Sequence, residues 1–102
     1  MSYFTHHAII VTGDSSVIHH AHKKACEIFP DVTPVVQSQN NGFSSFLVPP
    51  DGSKEGWPTS DKGDDRRREF IEWLSVEDDF DWAEVAFGGD TERAYVPNYS
   101  DR

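Results

Sequence analysis

The stretch His6-His7-Ala8-Ile9-Ile10-Val11-Thr12 constrains the fold more than any other part of the chain. It is too short for a free-standing helix, and its β-branched content reads as a strand. Successive strand residues face opposite sides, so Ala8 and Ile10 point one way while Ile9 and Val11 point the other. Both faces are apolar, so both need cover. The same alternation sends His6 and His7 to opposite faces of the sheet at the strand's starting edge.

The segments that follow supply partners for such a strand. Gly13-Asp14-Ser15-Ser16 offers a turn and N-cap candidates. Ile18, Ala21, Ala25, Ile28 and Phe29 then form one apolar stripe at helical spacing, and Pro30 stops the helix. Val32 to Gln37 reads as a second strand, with Pro34 assigning it to an edge. Asn40-Asn41-Gly42 is a hairpin turn. Phe43 to Val48 is a third strand, with Phe46 and Val48 on one face and Phe43 and Leu47 on the other. Pro49 to Gly63 reads as a long loop. A second helix is expected from about Asp64, its buried side marked by Phe70, Ile71, Trp73 and Leu74. After the acidic connection Glu77–Asp81, with Phe80 and Trp82 as anchors, Trp82 to Phe87 alternates as a fourth strand and ends at Gly88-Gly89-Asp90. The expectation is one domain over residues 1–90 and an acidic, polar tail over 91–102, with a short extended piece near Tyr95 and Val96.

The order β-α-β-β-α-β predicts an α+β fold of ferredoxin-like type, an antiparallel sheet with both helices on one face. The first and third strands, apolar on both sides, do not suit a solvated open face. A homodimer that packs sheet on sheet, or extends the sheet, resolves this. Crossed pairing into an α+β barrel is one form of it.

Charge narrows the partners. The chain of 102 residues carries a net charge of −9, with fifteen acids and seven Lys/Arg in residues 51–102 but three and two in residues 1–50. Duplex nucleic acid is excluded, because phosphate contacts need clustered Lys and Arg. A solvated surface is the plain reading of such acidity, and a basic protein partner or nucleic-acid mimicry are the functional ones. No apolar run approaches the ~20 residues of a membrane span. The N-terminus lacks a signal-peptide pattern and Cys26 is a lone cysteine, which together point to a reducing cytoplasm.

The predicted topology gathers the first strand's start, the second helix's start and the fourth strand's end at one pole. His6 and His7 would there approach Asp51, Gly52, Ser53, Lys54, Trp57, Ser60 and the Gly88-Gly89-Asp90 turn. Glycines, a lysine and a helix N-terminus suit an anion, and Trp57 suits a planar group, which together describe a phosphate-bearing ligand. The loop is not a P-loop, and its competing description is an ordinary glycine-rich connection with Lys54 solvated and Trp57 folded back as a lid on the core. His6 or His7 could serve as acid or base on a phosphoester, since imidazole titrates near neutrality. The paired His-x-Ser/Thr motifs of two-histidine phosphoesterases are missing, however.

Other polar groups have simpler readings. His19, His22 and Cys26 fall at i, i+3 and i+7, but a structural zinc normally takes four ligands, and no fourth has matching spacing. No metal or cofactor is expected there, only a polar helix border with a buried thiol. Arg66-Arg67-Arg68 lies among Asp61, Asp64, Asp65, Glu69 and Glu72. Intrahelical ion pairs account for it, unless one arginine turns toward a ligand phosphate or a partner carboxylate.

His-His-Ala-Ile-Ile-Val-Thr, Asn41-Gly42, Pro50-Asp51-Gly52-Ser53-Lys54-Glu55-Gly56-Trp57 and Trp82-x-Glu84-Val85 with Gly-Gly-Asp together resemble a group of small proteins encoded by tailed bacteriophages. The resemblance runs from about Thr5 to Asp90, with Asp-Gly-Ser-Lys-Glu-Gly-Trp its most specific part, and the tail beyond lies outside it. It carries over no catalytic residues. It implies an accessory role against host enzymes or host defence, in the host cytoplasm. Two non-enzymatic modes fit: sequestering a nucleotide-like ligand, which is preferred, or docking the acidic face onto a host protein. A small histidine-dependent hydrolase is a third class.

Overall fold

Strand β1 (His6–Asp14) occupies the middle of the sheet, the place its two apolar faces require. The computed structural model describes residues 5–53, 56–89 and 93–101. The elements follow as α1 (Ile18–Ile28), β2 (Val36–Gln37), β3 (Phe43–Val48), α2 (Pro58–Glu77), β4 (Asp81–Phe87) and β5 (Tyr95–Tyr99). The fold is α+β: the described residues form two helices and one antiparallel five-stranded sheet in the order β2-β3-β1-β4-β5.

Register divides the sheet into two faces. Val11 lies opposite Phe46 on one side and Trp82 on the other, and Ile9 lies opposite Val48 and Glu84. That face meets the helices: Ile9, Val11, Phe46, Val48 and Trp82 share a core with Ile18, Ala21 and Ala25 of α1 and Phe70 and Leu74 of α2. Each fully buried large side chain among these stabilises the fold by about 1.5–3 kcal/mol. Ring contacts extend the core, with Trp73 stacked between Phe70 at 6.2 Å and Phe80 at 6.0 Å. Gly13 has no side chain because Phe80 lies against it; a Cβ there would stand 2.9 Å from the Phe80 ring. The opposite face is open, and Ile10, Val36, Phe43, Phe87 and Tyr99 on it are exposed.

Several expected boundaries move, each for a local reason. Helix α2 begins at Pro58, well before Asp64, because proline fits the first helical turn, where an amide has no intrahelical partner. Arg66, Arg67 and Arg68 therefore sit inside the helix and not at its N-terminal end. Strand β2 shrinks to Val36–Gln37, since Pro34 has no N–H to give. Upstream of it, Thr33 replaces the ladder by donating its amide to the Leu47 carbonyl and accepting the Leu47 amide on its hydroxyl. No side chain of Gly13–Ser16 caps α1; Asp14 turns back instead to accept the amide and hydroxyl of Ser16. Those two bonds hold the Asp14 carboxyl below its ordinary pKa. The Asn41-Gly42 turn has both residues at positive φ, as a tight hairpin needs.

Residues 95–99, expected within a tail, are strand β5 on the outer edge of β4. Tyr95, Val96 and Tyr99 suit a strand, and Pro97 is tolerated because β5 is the edge strand among the described residues, with one side not paired to another strand of them. Cys26 is exposed, contrary to the expected buried thiol: it follows Ala25, which holds the inward position of that turn. No helix among the described residues is long and apolar enough to cross a membrane.

Candidate functional site

Alternation places three polar groups on the helix-facing side of the sheet. His7 precedes Ile9 and Val11 on that face of β1, and Glu84 lies between Trp82 and Ala86 on β4. From the other layer, the inward positions of α2 run Ser60, Gly63, Phe70 and Leu74, and Arg67 falls on the same stripe. The three meet. His7 Nδ1 lies 3.0 Å from Glu84 Oε2, and Arg67 Nε lies 3.5 Å from the same oxygen. Asn98 of β5 donates to Glu84 Oε1 at 2.7 Å. Arg67 also pairs with Asp64 one turn earlier on α2.

Burial makes the arrangement strict. Glu84 is 5% exposed, and the side chains of Arg67 and His7 are 13% and 22% exposed. A buried carboxylate without partners costs several kcal/mol, so both Glu84 oxygens are engaged. Because the carboxylate accepts, the His7 ring proton sits on Nδ1, and Nε2 is the basic nitrogen.

Asp51 closes the pole. It accepts the Ser53 amide at 2.9 Å and the Ser53 hydroxyl at 2.7 Å. Burial pushes its pKa up, but those bonds and the nearby Arg67 charge outweigh it and hold the carboxyl below its ordinary value. Gly63 permits the approach, since a Cβ at that position would overlap the Asp51 carboxylate.

His7 and Arg67 line three adjoining hollows. One is polar and holds Thr5, Asp51, Ser53, Ser60 and Asp64. A second is a more apolar cleft against Phe29, Val48, Pro49 and Pro50. The third is a groove of about 330 Å³ between α2 and β4–β5, walled by Asp64, Arg68, Ile71, Glu72, Glu84 and Asn98. Arg68, largely exposed, pairs with Asp65 at 3.4 Å at its rim.

The sequence-derived candidates are thus partly gathered. His6, His7, Asp51, Gly52, Ser53 and Ser60 share the polar hollow. His6 belongs mainly to the open face, where its ring stands 5.5 Å from Phe87 and close against Gly88. Ser53 directs its hydroxyl and amide to Asp51. Trp57 is half exposed at the N-cap of α2, lines none of these hollows and is not a lid on the core. Lys54 and Asp90 lie outside the described residues. On α1 the ring of His22 donates Nε2–H to the Thr33 carbonyl at 2.9 Å, and the rings of His19 and His20 lie tilted against each other with centroids 4.1 Å apart. No cluster of three or more His, Cys, Asp or Glu that could hold a metal occurs among the described residues.

Glu84, Arg67 and Asn98 were not singled out from the sequence as a unit. Their signal was available in part: an acid at an inward position of an alternating strand, and one arginine of three on the apolar stripe. Compared with family models, curated proteins and solved structures, the chain matches none.

Proposed function

We propose that this chain is an accessory protein of bacteriophage type that binds and sequesters a nucleotide-like, phosphate-bearing ligand in the bacterial cytoplasm, acting on host processes or defence. The observation that carries the reading is the groove of about 330 Å³ that opens from His7 and Arg67. That volume lies within the usual range for small-molecule sites. Its walls mix cations and carboxylates, Arg67 and Arg68 facing Asp64, Glu72 and Glu84. A simple anion would be repelled by those acids. A nucleotide matches both signs, with phosphate for the arginines and hydroxyl and N–H donors for the carboxylates.

The strand order β2-β3-β1-β4 with two helices supports a ferredoxin-like unit, to which β5 adds an edge. The open face supports a sheet-on-sheet homodimer. Two copies of a chain at −9 repel each other, so they must meet where charge is sparse. On the open sides of β1, β3 and β4 the acids are Asp14 and Asp81, both at one end. Five strands about 4.8 Å apart give a face of roughly 500 Å² in projection. With side-chain relief this approaches the ~800 Å² per partner of a stable interface.

The ligand reading is tested by melting the protein with cyclic and linear nucleotides. At a hundredfold excess over Kd a true ligand stabilises by about 2.7 kcal/mol, and the shift should shrink in Arg68→Ala. Lys54→Ala and Trp57→Ala test the loop separately. A panel in which no nucleotide raises the melting temperature overturns the proposal.

A further inference from the structure

We propose that His7 and Glu84 form a general-base dyad that hydrolyses a phosphoester of the ligand held in the groove. This rests on the ligand-binding half of the reading above, with turnover taking the place of sequestration. Glu84 is buried at an inward position of β4, and its two oxygens are held from different elements: Oε1 by Asn98 at 2.7 Å, Oε2 by His7 at 3.0 Å and Arg67 at 3.5 Å. Clamped this way the carboxylate cannot swing, so it fixes both the rotamer and the tautomer of His7. The basic Nε2 then belongs to a ring that lines both the groove and the adjoining polar hollow. This is the geometry of a base oriented by a third group.

Arg67 supplies the complementary charge. Its Nε forms an ion pair with Glu84 at 3.5 Å and a terminal nitrogen bonds to Asp64, so guanidinium N–H groups beyond these contacts can meet a phosphoryl oxygen. In the step, a water oxygen forms a bond to phosphorus and the ester P–O bond breaks. The water proton passes to His7 Nε2 and the leaving oxygen departs with the bonding pair. That oxygen then takes a proton from solvent, and His7 loses its own to solvent, restoring the dyad. Glu84 is a positioning residue; His7 is the catalytic one.

The test uses bis(p-nitrophenyl) phosphate, whose leaving group needs no protonation, and the same nucleotides followed by chromatography for breakdown. Wild type should release nitrophenolate, and His7→Gln should lower kcat by about 10²–10⁴ while nucleotide-induced stabilisation persists. Added imidazole should restore turnover to His7→Ala, which a purely structural histidine would not allow. Glu84→Asp should keep KM and part of kcat, and Glu84→Gln should keep KM and lose kcat. The exposed His20→Gln should match wild type. Nucleotides that bind and stay intact, with no nitrophenolate released, overturn the dyad and leave sequestration standing. Release that survives His7→Gln overturns the dyad as well. No binding and no release removes both proposals.

Discussion

Replacing Glu84 with alanine removes one acceptor from three donors on three different elements. Asn98 of β5 and His7 of β1 lose hydrogen bonds of 2.7 Å and 3.0 Å, and Arg67 of α2 loses its contact at 3.5 Å. A hydrogen bond to a charged group contributes about 1.5–3 kcal/mol. Removing one member of a buried ion pair costs about 3–5 kcal/mol, chiefly through the charge left behind. Two features place this case near the lower end: Arg67 keeps Asp64, and His7 retains some access to water. The expected loss is therefore about 3–4 kcal/mol, a large share of the roughly 5–15 kcal/mol that holds a domain of this kind together. At about 4–8 °C per kcal/mol, the midpoint falls by roughly 12–32 °C.

Urea unfolding followed by tryptophan fluorescence measures this, since Trp73 and Trp82 pack in or against the core. Glu84→Gln, which keeps the shape and one acceptor but loses the charge, should lie between wild type and alanine. Asp79→Ala, on the exposed connection after α2, should stay within about 0.5 kcal/mol of wild type. A double-mutant cycle with Asn98→Ala should return a coupling of about 0.5–3 kcal/mol. A loss below about 1 kcal/mol in Glu84→Ala would refute the reasoning. Such a value would mean that the carboxylate is hydrated and the network does not bind α2, β1 and β5 to β4.

Acidification should weaken the contribution of Asp51. Its folded-state pKa is depressed, so its charged form contributes stability above the ordinary carboxylate value of about 3.9 and that contribution is lost as pH falls through the folded value. The stability gap between wild type and Asp51→Asn should be full at neutral pH and close in acid; a gap independent of pH would remove the electrostatic account. On the open face, Ile10→Glu places a charge at the centre of the proposed dimer contact. Light scattering should show a dimer for wild type and a monomer for Ile10→Glu, and a wild-type monomer at high concentration would overturn the sheet-on-sheet proposal.

The frame was legible wherever one residue type had one physical use. Val11 and Phe46 declare strand faces by alternation, and Asn41-Gly42 declares a turn because few other pairs accept positive φ at both positions. The buried stripes of both helices were also legible, because Ala21, Ala25, Phe70 and Leu74 repeat at helical spacing. Boundaries set by competition were harder. Pro58 can end a loop or begin a helix, and what decides for the helix is tertiary: Ser60 and Gly63 are buried, Ser60 at the polar hollow and Gly63 at the more apolar cleft. β5 was legible only as a short extended piece near Tyr95 and Val96, because an exposed strand has no buried face to generate a pattern that marks its length or its place in the sheet.

The site was half legible for a related reason. His7 could be assigned a face from the sequence, and so could Glu84, but a contact between them needs the register of β1 on β4. Ile9 lies opposite Glu84, which puts His7 diagonally beside it, and a shift of one residue would send Glu84 to the open face. Register also separates the two proposals. His6 and Ile10 belong to the open side of β1, and His7 and Ile9 to the side beneath the helices. A partner covering the open face would therefore leave the groove at His7 and Arg67 accessible. Substitutions at Ile10 should change mass without changing nucleotide binding, and those at Arg68 the reverse.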